Sequence, residues 1–118
     1  MDKQEAFNKA YLGLKSQGFK MSVLNSGMCV YRTEGGLKCA VGWLIPDDKY
    51  SPEMDDTSMG SGISRNLLVQ EVLGIKGKRA AIDFLFYLQG VHDSGADQDM
   101  QEGLKKFAKN YKLTIPEE

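Results

Sequence analysis

The sequence predicts an α+β fold, mostly α, with four or five helices and one small β-hairpin or short strand pair. Three observations carry this reading. Apolar residues recur at helical spacing in four separate stretches. A run of strand composition, Met28-Cys29-Val30-Tyr31-Arg32, stands before the turn Thr33-Glu34-Gly35-Gly36, where glycine can take positive φ. Glycine or proline punctuates most of the boundaries between these segments.

Taken in order, Asp2 followed by Glu5 is a helix cap with a carboxylate at the third helical position. Ala6, Phe7, Ala10, Tyr11 and Leu14 then form one face of a first helix over residues 3–17, and Gly18 suits its left-handed end. Residues 19–27 lack a clear period and read as a linker with room for a short strand. The apolar segment 37–45 is too short for periodicity to separate a buried strand from a buried helix. A helix is favoured, because Val41, Leu44 and Ile45 would share a face and Pro46 would end it. Residues 47–62 form a long polar connection. Ser64 is placed to cap a helix carrying Leu67, Leu68, Val72 and Leu73 up to Gly74. Residues 78–91 are apolar on more than half their circumference, which puts this helix at the centre, with His92-Asp93-Ser94-Gly95 ending it. Asp97 or Asp99 caps a last helix with the stripe Met100, Leu104, Phe107, Ala108 and Tyr111, and Leu113 and Ile115 tie down the tail.

At 118 residues, 42% hydrophobic and 26% charged, the chain has the size and composition of a single globular domain, residues 1–118. A formal net charge of −1 lacks the positive field that binding of long nucleic acids requires. No apolar run reaches the roughly 18 residues of a membrane span, and Met1-Asp2-Lys3-Gln4-Glu5 is unlike a secretory leader. A cytoplasmic protein is expected, with Cys29 and Cys39 as thiols.

Several residues have chemistry to offer. Cys39 is a candidate nucleophile with His92, the single histidine, as its base and Asp93, Asp47 or Asp48 as the orienting group. The competing description is a small buried Cys39 and a His92 whose charge suits a helix C-terminus. The same residues with Cys29 would make a mixed zinc site, but the closely paired ligands of structural zinc are missing. The acidic residues of the loop match no calcium-binding spacing, so neither metal nor cofactor is expected. The turn Gly74-Ile75-Lys76-Gly77-Lys78-Arg79 sets Lys76, Lys78 and Arg79 at a helix start, an arrangement suited to a small phosphorylated ligand. Its G-x-x-G also occurs in modules that clamp nucleic-acid backbones, without their strand pattern here. Tyr31, Trp43, Tyr50 and Tyr87 are amphipathic side chains suited to a pocket or interface. Met54 and Met59, in a polar loop, would be adaptable contacts if exposed.

The stretch Cys29-Val30-Tyr31-Arg32, then Gly36-Leu37-Lys38-Cys39-Ala40-Val41-Gly42-Trp43-Leu44-Ile45-Pro46-Asp47-Asp48-Lys49-Tyr50-Ser51-Pro52-Glu53-Met54, resembles a family of small, largely uncharacterised phage and bacterial proteins. Leu88-Gln89-Gly90-Val91-His92-Asp93 and residues 107–113 resemble it as well. The resemblance assigns no catalytic residue. It implies a setting, since small phage proteins of this kind are often factors acting on the host, including inhibitors of its defences. The expectation is therefore a non-enzymatic accessory protein in the host cytoplasm that blocks a defence protein or sequesters a nucleotide-like signal. For a signal, Lys76, Lys78 and Arg79 would take phosphate while Tyr31, Trp43 or Tyr50 stacks on a base. For a host protein, the contacts would be Asp47, Asp48, Met54, Asp55, Asp56 and Met59. The rival from another class is a small cysteine hydrolase or transferase using Cys39, His92 and Asp93. A third reading makes the central motif a packing element only. Homo-oligomerisation is left open.

Overall fold

A computed structural model describes residues 2–20, 30–33, 35–55, 63, 66–94 and 97–116. Among these residues the α-helices are α1 (Lys3–Ser16), α2 (Leu67–Leu73), α3 (Arg79–Ser94) and α4 (Asp97–Asn110). Three 3-10 turns, Gly42–Leu44, Asp47–Lys49 and Pro52–Asp55, lie between α1 and α2.

The cap expected for α1 is present. The Asp2 carboxylate accepts from the Gln4 amide at 2.8 Å, and Ala6, Phe7, Ala10, Tyr11 and Leu14 are buried. Gly18 takes φ +70°, after which the Phe19 amide reaches back to the Leu14 carbonyl at 2.8 Å. One stretch of core is aromatic: Phe107 stacks on Phe7, with ring centroids 6.0 Å apart, and tilts against Phe84 at 5.2 Å. Helix α3 packs on α4, while α1 packs on the Gly42–Leu44 turn. The tail is clipped to α1 by Gln4, which exchanges hydrogen bonds with both backbone groups of Thr114.

The expected β-hairpin is absent among the described residues, which hold no strand. Only one antiparallel bridge, Arg32 to Lys38, joins the two sides of the Gly-Gly turn. Side chains from elsewhere explain why no ladder grows. Asp55 accepts from the Tyr31 amide at 2.6 Å and the Arg32 amide at 3.4 Å. Gln17 takes both backbone groups of Lys38, accepting from its amide at 3.0 Å and donating to its carbonyl at 2.7 Å. The outer edges are thus satisfied without further strands. The start of the expected strand, Met28 and Cys29, lies outside the described residues.

Residues 37–45 are neither a long strand nor a regular helix. A turn at Ala40 and Val41 runs into the 3-10 turn, with Cys39, Ala40, Val41 and Ile45 buried and Pro46 ending it. Glycine is required at position 42, because a Cβ there would lie 2.1 Å from the Tyr31 carbonyl oxygen. Two further expectations change. Helix α2 is capped by Asn66, whose side chain accepts from the Val69 amide at 3.1 Å and donates to the Met54 carbonyl at 2.8 Å. Ser64 lies outside the described residues. That cap, with the buried Gln70 donating to the Ile63 carbonyl at 2.7 Å, turns Val69 and Gln70 inward and leaves Leu67 and Leu68 exposed. Helix α3 buries Ile82, Phe84, Leu85 and Leu88 and leaves Phe86 and Tyr87 to solvent, and it continues past Val91 through His92 and Asp93 to Ser94. No described helix is long and apolar enough to cross a membrane.

Candidate functional site

The polar residues of the central motif converge around the bridge between Arg32 and Lys38. Arg32 is anchored twice from within the fold: its Nη2 donates to the Ile45 carbonyl at 2.7 Å, and its guanidinium lies 4.7 Å from the Tyr50 ring centroid. Lys38 is anchored through its backbone by Gln17, and its ammonium sits 4.4 Å from the Trp43 ring centroid. Each cation–π contact is worth about 0.5–2 kcal/mol, depending on how dry it is. Trp43 is itself fixed, with Nε1 donating to the same Gln17 carbonyl oxygen at 3.2 Å. Its ring lies so close to α1 that a Cβ on Gly13 would be 2.2 Å from it.

Both cations meet one atom. Asp47 Oδ1 is 2.9 Å from Arg32 Nη1 and 3.2 Å from Lys38 Nζ. The cationic side chains are only 15% and 20% exposed, whereas that of Asp47 is 80% exposed, so a solvent-facing carboxylate caps two enclosed positive groups. The Lys38 hydrogen bond, then the Lys38 and Arg32 charges, hold the Asp47 carboxyl below the usual carboxylate range. Among the described residues, Arg32 Nε is buried with no hydrogen-bond partner.

Asp55 organises the other side. Besides the two amides, it accepts a short hydrogen bond from the Tyr50 hydroxyl. Burial, followed by this hydrogen bond and the Asp55 charge, pushes the Tyr50 phenol well above its ordinary range, so Tyr50 stays a donor. The frame presents Asp47, Asp48 and Lys49 as an exposed turn.

The sequence-derived candidates fall differently from one another. Cys39 is fully buried, and its Sγ accepts from the Gly42 amide at 3.2 Å. His92 and Asp93 stand in the last turn of α3, with side chains outside the described residues. Cys29, Asp56 and Met59 also lie outside them. Among the described residues no three His, Cys, Asp or Glu side chains gather as for a metal. Met54 is buried rather than presented to a partner, because the 3-10 turn that follows Ser51 directs it into the core. Tyr31 is also a core residue. Trp43 and Tyr50 join the frame, with Lys38 and Arg32 already over one face of each ring.

Lys76 and Lys78 are exposed on the turn before α3, and Arg79 is exposed at its first position. Lys76 lies 3.9 Å from Glu71, and Arg79 lies 3.3 Å from Asp83. The Ile75 and Lys78 amides of this turn already donate to the carbonyls of Gln70 and Ile75, which removes them from an anion cradle. Arg32, Lys38 and Gln17 were not among the candidates, although the motif hinted at the first two by placing Arg32, Lys38, Trp43 and Tyr50 as cations and aromatics around one turn. Compared with models of protein families, with curated proteins and with solved structures, the chain matches none.

Proposed function

We propose that the chain works by binding and not by catalysis, as a phage-type accessory protein that blocks a host component in the host cytoplasm. The observation that carries this reading is the exposed turn Asp47–Lys49, held from beneath by the Arg32, Lys38, Tyr50 and Asp55 frame. A contact fixed before binding loses little conformational freedom on association, which favours affinity. A host defence protein suits this face better than a nucleotide-like signal, because a cation already occupies one face of each of the Trp43 and Tyr50 rings. The burial of Cys39 counts against the cysteine-enzyme alternative.

The test combines a phage-plating assay on defended hosts with affinity capture. Expression of the chain is expected to raise plating of a restricted phage, and the chain to capture one stoichiometric host protein. Asp48→Lys with Lys49→Glu should lose both effects while keeping the wild-type circular dichroism and melting temperature. Equal capture and equal plating by wild type and variant would refute the assignment of this face. Absence of any plating effect across a panel of defence systems would refute the counter-defence role.

A further inference from the structure

We propose that Arg32 and Lys38 form a fixed oxyanion site that Asp47 occupies as a tethered stand-in, and that a carboxylate or phosphate group of a ligand takes its place. This deepens the binding face named above and rests on that reading for its biological role.

Asymmetry between the partners carries the inference. Arg32 and Lys38 are held by contacts that do not involve Asp47: the Ile45 carbonyl and the Tyr50 ring for the guanidinium, and for Lys38 the Trp43 ring under its ammonium, with Gln17 fixing its backbone. Removing the Asp47 carboxylate therefore leaves both cations aimed at the same point. Asp47 stands in an exposed 3-10 turn, with four-fifths of its side chain in water. It can turn away without uncovering an apolar surface. Stoichiometry agrees, because both donors converge on the single atom Oδ1 and two positive groups face one carboxylate. An incoming oxyanion can place separate oxygens on Arg32 Nη1 and Lys38 Nζ, and a dianion matches the two charges more fully. An intramolecular carboxylate that fills the site most of the time weakens an outside ligand by the fraction of time the site is vacant. If Asp47 is bound about nine-tenths of the time, its removal tightens binding about tenfold.

Inorganic phosphate and glutarate serve as probes, titrated at constant ionic strength with chloride as control. Trp43, the only tryptophan, reports through its fluorescence because it lies under Lys38. Backbone amide resonances of Arg32, Lys38 and Asp47 locate the site. At least one probe is expected to move these resonances in the wild type, to bind about tenfold tighter to Asp47→Asn, and to lose binding in Lys38→Gln. Whichever probe binds more tightly identifies the ligand group as phosphate or carboxylate. No response to either probe in Asp47→Asn overturns the proposal, and so does equal affinity in wild type and variant. Asp47→Ser repeats the measurement if the asparagine variant is misfolded. Loss of folding in both would make Asp47 a structural member and equally overturn the stand-in role. The titration needs no host partner, so its failure is distinct from failure of the capture and plating assays.

Discussion

Replacing Asp55 by Asn tests whether the central motif is held together as described. The substitution keeps the shape of the side chain and removes an acceptor and a charge. In the wild type the two carboxylate oxygens receive the Tyr31 amide at 2.6 Å, the Arg32 amide at 3.4 Å and the Tyr50 hydroxyl. Asparagine offers one carbonyl oxygen, which can keep the Tyr31 amide as a neutral hydrogen bond. Its NH2 then opposes the Arg32 amide, donor against donor, and the Tyr50 hydroxyl can only accept from it, so the hydroxyl proton loses its acceptor. Weakening one charge-assisted bond costs about 1 kcal/mol, and stranding a partly buried donor costs about 1–3 kcal/mol more. The expected loss is therefore about 2–4 kcal/mol, a fall of roughly 10 °C in melting temperature for a chain of this size. Urea unfolding followed by Trp43 fluorescence and by far-ultraviolet circular dichroism measures it. Tyr50→Phe isolates the hydroxyl and should lose only about 1 kcal/mol. An Asp55→Asn protein within about 0.5 kcal/mol of wild type, the range of an ordinary surface change, would refute the frame.

Two glycines should respond oppositely to alanine. Gly90 in α3 has open space where a Cβ would go, so Gly90→Ala should gain about 0.5–1 kcal/mol in urea unfolding, whereas in Gly13→Ala the same helix-propensity gain is outweighed by a Cβ 2.2 Å from the fixed Trp43 ring, giving net destabilisation and altered Trp43 emission. The Tyr50 pKa lies above its ordinary 10.0 through burial and then through Asp55, so its stabilising contribution is complete below that value and is lost as pH rises through the folded-state pKa. Urea midpoints of wild type and Tyr50→Phe should accordingly converge on going well above pH 10, and a constant gap would count against the bond to Asp55. In a Cys29→Ser background, Cys39 should react with iodoacetamide only as fast as the protein unfolds, and rapid alkylation of the folded protein would reopen the thiol chemistry.

What the sequence made legible is what is local. Asp2 with Glu5 marks the start of α1, Gly18 its end and Gly74 the end of α2, because each signal lies within a turn of the feature it controls. The errors arise where a distant side chain decides. Strand composition at residues 28–32 suggests a hairpin, but Asp55, 24 residues beyond Tyr31, takes the amide a neighbouring strand would need. Gln17, 21 residues before Lys38, satisfies the outward-facing backbone groups of that residue without a third strand. The phase of α2 depends on Asn66 reaching Met54 and Gln70 reaching Ile63, so Leu67 and Leu68 read as core from periodicity and stand in solvent. The frame has the same origin. Asp47 and Asp55 both look like surface acids in the sequence, and only the Arg32 and Tyr31 segment, folded back against them, gives the two their different tasks.

That difference bears on where function sits. A carboxylate bound to two backbone amides and a phenol, as Asp55 is, cannot leave without stranding donors, so it belongs to the fold. The Asp47 carboxylate meets two cations that have other anchors, and its own side chain is solvated, so displacing it strands no backbone group. Cys39 is closer to the first case, since its sulfur accepts from Gly42 inside the turn that Tyr31 forces to be glycine. The exchangeable group in the motif is therefore Asp47 and not the thiol. A ligand that competes for Arg32 and Lys38 can enter at that point while the Asp55, Gln17 and Gly42 contacts stay in place.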